Sequence, residues 1–89
     1  MDNKKYLNKV LDHLVRRTKI DYDKGEIIFP FTTNSSRFFL ASSPHLLSFL
    51  LFPFIEYSVN HFGLTPDEVD NVFKQYKKII EDKISKREL

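Results

Sequence analysis

The feature that most limits how this chain can fold is the run from Leu46 to Ile55, Leu-Leu-Ser-Phe-Leu-Leu-Phe-Pro-Phe-Ile, in which only Ser48 is polar. Wound as a helix, the run is apolar nearly all round, and such a helix is normally enclosed by a large core. A chain of 89 residues has little to enclose it with, since a domain near this size buries roughly 60–65% of the surface that its unfolded form exposes. A membrane span is not the answer, because the run is about half the length a span needs and its extension carries Glu56, Asn60 and His61. The opening MDNKKYLNKV is charged, with no apolar stretch of the kind a secretory signal needs. A single small cytoplasmic domain, 1–89, is therefore expected, and the Asn34-Ser35-Ser36 sequon reads as an unglycosylated polar loop.

On either side of the apolar run the pattern changes to amphipathic helix. Leu7, Val10, Leu11, Leu14, Val15 and Thr18 recur at helical spacing, with Lys5, Lys9 and Arg16 opposite, which predicts a helix over 1–19. A second helix is predicted over 65–88. Thr65 can cap it, Pro66 suits its first position, Glu68 completes a capping box, and Val69, Val72, Phe73, Tyr76, Ile79, Ile80 and Ile84 form one stripe. Between the first helix and the apolar run, Ile20–Phe29 reads as two short extended pieces around an Asp23-Lys24-Gly25 turn. Pro30 ends the pairing, Thr32–Ser36 is a polar loop, and Arg37–Leu40 is a further extended piece. A helix can begin at Ser43-Pro44 and run to the stop at Gly63, with Pro53 either kinking it or dividing it in two. Phe-Pro-Phe occurs at 29–31 and 52–54 without repeated flanks, so it marks no duplication. The expected fold is mostly α, with three to four helices and an extended or β-hairpin-like excursion between the first and second.

No constellation in the sequence carries catalysis or a cofactor. His13, His45 and His61 fall in three segments without ligand spacing, with His13 on the polar side of its helix, so they read as solvated or capping residues. Asp21-x-Asp23-x-Gly25 resembles the start of a calcium loop, but the glycine is one position early and Thr32 stands where a bidentate glutamate is needed. There is no cysteine, and Gly25 and Gly63 are the only glycines, too few for a phosphate loop. The stretch from Val59 through Gly63 to Val72 has helix-turn-helix spacing. Its second helix would present Thr65, Pro66, Asp67, Asp70 and Asn71 to a phosphate-lined groove, and the carboxylates make that contact repulsive. A structural αα corner is the expectation. The basic side of the first helix, Lys4, Lys5, Lys9, Arg16, Arg17 and Lys19, could follow an anionic backbone or membrane surface. Asp2 and Asp12 dilute it, no aromatic residue is interleaved with it, and the net charge of the chain is only +2.

What remains is apolar excess. Nine Phe and four Tyr is a heavy aromatic load for this length, and aromatic side chains dominate core and interface energetics. Either the segment 27–40 folds back over the apolar helix, or the helix keeps an uncovered face that invites association. The second alternative makes Phe38, Phe39, Leu46, Leu47, Phe49, Leu50, Phe52 and Phe54 a partner interface, for another protein or a second copy of the chain. The competing reading is a weak nucleic-acid-binding module that uses Lys5, Lys9, Arg16 and Arg17. Peripheral membrane attachment through the Phe/Leu segment is a third.

The series Tyr6-Leu7-x-Lys9-Val10-Leu11-x-x-Leu14-Val15, Thr18-x-Ile20-Asp21-Tyr22, a Phe/Pro-rich middle, and Gly63-Leu64-Thr65 leading to Tyr76-Lys77-x-Ile79-Ile80 resembles small uncharacterised proteins of marine T4-like phages. The resemblance implies a virus-encoded accessory or virion-associated protein, placed in the host cytoplasm or the virion. It carries over no functional residues.

Overall fold

A computed structural model describes residues 3–32, 37–40 and 47–87 of the chain. The order is α1 (Asn3–Arg17), β1 (Lys19–Asp21), β2 (Glu26–Ile28), β3 (Arg37–Phe39), α2 (Leu51–Phe62) and α3 (Pro66–Arg87), with a helical turn at 47–49 leading into α2. The fold is mostly helical, with a small antiparallel hairpin-like sheet between the first and second helices, as the sequence pattern predicts. The Asn34 sequon, His45, Leu46 and the helix start expected at Ser43-Pro44 lie outside the described residues.

Helix α1 stops two residues before the predicted Lys19 because Thr18 turns its hydrogen bonds inward. Its N–H donates to the Val15 carbonyl (3.2 Å) and its hydroxyl to the Leu14 carbonyl (2.8 Å), which tightens the last turn. The chain then enters β1. At the turn the Asp21 carboxylate accepts the Lys24 N–H (3.1 Å), and Gly25 adopts φ +66°, a left-handed conformation that glycine reaches without steric cost. The Asp21-x-Asp23-x-Gly25 segment is thus an Asx-type hairpin turn. Register pairs Ile20 with Ile27 and Ile27 with Phe38, so these three share the inner face of the sheet.

Pro53 divides the apolar run. Leu50 is the N-cap of α2, which places Pro53 in the first turn, and the first intrahelical bond is donated by Phe54 to the Leu50 carbonyl (3.0 Å). At that position the N–H that proline lacks would have had no partner, so the residue starts a helix without kinking one. Gly63 ends α2 at φ +65°, its N–H donating to the Val59 carbonyl (3.0 Å) in a left-handed cap. Two residues later the capping box forms. The Thr65 N–H donates to Glu68 Oε1 (2.8 Å) and the Glu68 N–H to Thr65 Oγ1 (3.3 Å). Asn3 Nδ2 also donates to Glu68, and these hydrogen bonds, the Thr65 backbone bond foremost, hold the Glu68 carboxyl below its usual range.

Helices α2 and α3 form an antiparallel pair through Phe54, whose ring lies 4.9 Å from Phe73 and 5.6 Å from Tyr76. Helix α1 runs in the same sense as α3, with Asn3 beside Glu68 at one end and Thr18 beside Tyr76 at the other. The core is Val10, Leu14, Ile27, Phe29, Phe31, Leu40, Leu47, Phe54, Leu64, Val69, Val72, Tyr76 and Ile80. One polar chain crosses it: the buried Tyr76 hydroxyl donates to Thr18 Oγ1 (2.6 Å), which already donates to Leu14. Burial, only partly offset by this bond, pushes the Tyr76 phenol well above its usual value. The molecule measures 42 × 27 × 18 Å. With packed elements about 10 Å apart, the described residues form two layers across the shortest dimension.

Candidate functional site

The excursion between α1 and α2 does fold back over the apolar helix. Phe31 packs edge-on against Phe54 (5.2 Å) and Tyr76 (5.7 Å), and Phe29 stacks on Phe31 (5.3 Å). Two residues of the expected interface, Leu47 and Phe54, are therefore fully buried in the chain's own core and present nothing to a partner. Phe38 and Leu50 are half-buried against that core, and Leu46 lies outside the described residues. Phe39, Phe49 and Phe52 stay open, at 72%, 79% and 79% exposure.

The two Phe-Pro-Phe triplets show why the apolar surface divides in this way. In the turn at 29–31 both rings point inward, to 1% and 6% exposure, whereas in α2 Phe54 is buried and Phe52 is not. Side chains two apart on a helix diverge by about 200°. Burying Phe54 therefore turns Phe52 outward. Val59, seven residues after Phe52, returns to the same side and is 43% exposed, and Phe49 precedes Phe52 by three. Phe49, Phe52 and Val59 thus line the outer side of α2 and the turn before it. Phe39 opens elsewhere, on the outer face of the sheet beside Glu26.

A second surface joins α1 to α2. Lys9, Asp12, His13, Arg16 and Arg17 border one depression, and Arg16, Arg17, Lys19, Pro30, Thr32 and Tyr57 border the next. Pro30, Thr32 and Tyr57 continue into a third, which also holds Phe52, Glu56, Asn60 and His61. The three depressions adjoin through these shared residues as a segmented furrow, basic at the α1 end and aromatic at the α2 end. Arg16 is held by Asp12 at 2.6 Å, both well exposed, a pair worth a fraction of a kcal/mol. The Tyr57 and His61 rings stack at 4.1 Å, with the His61 Nδ1 near the Tyr57 carbonyl (3.3 Å). Of the four basic residues singled out in the sequence, Lys9, Arg16 and Arg17 border the furrow, while Lys5 is exposed toward the start of α1.

The sequence pattern missed Tyr57, Asn60 and His61 as neighbours of the basic residues, because only the tertiary fold brings them there. The available signal was the i, i+4 spacing of Tyr57 and His61, which makes them adjacent on a helix. His13, expected on the polar side, is half-buried and meets Phe62 edge-on at 5.3 Å. The start of α3 exposes Asp67, Asp70 and Asn71, with Asp70 paired to Lys74 at 3.1 Å. Among the described residues no group of three His, Cys, Asp or Glu converges, and no helix is long and apolar enough to cross a membrane. No protein-family model, curated protein or solved structure matches the chain.

Proposed function

We propose that the chain is a non-catalytic interaction or structural subunit that associates with a second copy, or with another protein, through the outer side of α2. The observation that carries this reading is the pair Phe49 and Phe52, three residues apart and each 79% exposed. Full burial of a Phe side chain is favourable by about 1.5–3 kcal/mol, so the pair offers about 3–6 kcal/mol. In a two-fold pair the same residues count on both chains, giving about 6–12 kcal/mol against an association cost of about 4–15 kcal/mol. A self-paired assembly is therefore within reach of these side chains, with Val59 adding to it.

The resemblance to small uncharacterised phage proteins would make such a subunit a virus-encoded accessory protein of the host cytoplasm or the virion. A hydrophobic dye tests the surface directly. At concentrations too low for association the native protein is expected to take up dye, and Phe49→Ser with Phe52→Ser to reduce the uptake severalfold with the helical content unchanged. Equal uptake by both would place the adhesive surface elsewhere.

A further inference from the structure

A surface that meets the Phe49–Phe52–Val59 side at Phe52 carries a second inference. Lys9, Arg16, Arg17 and Lys19 line the furrow against Asp12 and Glu56 as its acids. Arg16 is engaged with Asp12, which leaves Lys9, Arg17 and Lys19 as its main positive charge. The basic end adjoins the aromatic rings at Pro30, Thr32 and Tyr57, which border both depressions, and beyond them lies His61, with the Asn60 amide between Tyr57 and His61 in sequence. We infer that this furrow binds single-stranded nucleic acid, the α1 cations following the phosphates while the exposed His61 ring, backed by Tyr57, receives an unstacked base.

The shape and chemistry favour this ligand over other polyanions. A single strand offers phosphates and exposed base faces together, and proteins that bind it combine a basic groove with aromatic platforms. A membrane surface supplies the charge but cannot follow a concave furrow down to Tyr57. A duplex keeps its bases stacked and would meet no recognition helix here, since the start of α3 exposes Asp67 and Asp70. An acidic peptide matches the cations and leaves the rings unused.

The test is fluorescence anisotropy of a labelled oligo-dT of about 20 nucleotides, longer than the roughly 4–16 that a small single-strand-binding domain covers. Binding at low salt should weaken linearly in log salt. Arg17→Glu with Lys19→Glu should cost at least tenfold and lower the slope by about 0.7 for each phosphate no longer neutralised. Lys78→Glu with Lys86→Glu makes the same change in net charge on exposed positions of α3 and should cost much less. His61→Ala should cost about fivefold or more for oligo-dT and leave heparin binding unchanged. Circular dichroism of each variant verifies that the fold is retained, and Phe49, Phe52 and Val59 are unchanged in all of them. Four results would each overturn the inference: no binding to oligo-dT at low salt, equal losses from the two charge-reversal pairs, no effect of His61→Ala on oligo-dT, or binding confined to phosphatidylserine vesicles or polyglutamate.

Discussion

Two buried side chains, Ser58 and Tyr76, differ in how the interior meets their hydroxyl groups. Ser58 is fully buried on α2, and its hydroxyl has no hydrogen-bond partner among the described residues. An unsatisfied buried polar group costs about 1–3 kcal/mol. Ser58→Ala should therefore raise stability by about 1 kcal/mol, read as a higher urea midpoint at unchanged slope. Tyr76 is the opposite case, buried and satisfied through Thr18. Tyr76→Phe should cost about 1 kcal/mol at neutral pH. Because the native phenol is shifted upward from 10.0 by burial, its contribution is complete below that value and is lost as pH rises beyond it. Stability measured upward from about pH 9 should fall less steeply in Tyr76→Phe than in the native chain. The stripe that placed Tyr76 in the core was legible at helical spacing. Its bond to Thr18 was not, because the two residues lie 58 positions apart and nothing local couples them.

At the level of elements, legibility followed the range of the interactions. The α3 start could be read from Thr65, Pro66 and Glu68 because a capping box closes within four residues. The hairpin could be read because Asp21 and Gly25 make the turn locally. Pro53 left two outcomes open, and the choice between them rests on Leu50 serving as N-cap. The division of the apolar residues into core and surface could not be read either, since it depends on Phe31 crossing to Phe54. The capping box also titrates. Its hydrogen bonds depress the Glu68 carboxyl below 4.5, so its contribution is complete above that value and is lost as pH falls through the lower native one. Glu68→Gln, which can still complete a capping box but carries no titrating proton, should flatten the acid limb of the stability profile as pH falls below 4.5. Denaturant titrations of both proteins across that range check it, and identical acid limbs would count against the linkage.

For the whole molecule, thickness governs what is left exposed. Two layers within 18 Å allow the sheet segment and α3 to cover one side of α2, and among the described residues no element covers the other. The resulting open side, with Phe49, Phe52 and Val59, is smaller than the eight-residue interface that the sequence suggested, since Leu47 and Phe54 were claimed by the core. The basic furrow arises at the same scale, from α1 and α2 meeting across Pro30 and Thr32. Association through the open side of α2 is what the proposed role depends on. Light scattering on a sizing column, with dye uptake read on the same fractions, decides it. The expected mass lies above 10.6 kDa, grows with concentration, and returns to the single-chain value in Phe49→Ser with Phe52→Ser. A native protein that elutes as a single chain at every concentration and takes up no dye would rule the association surface out.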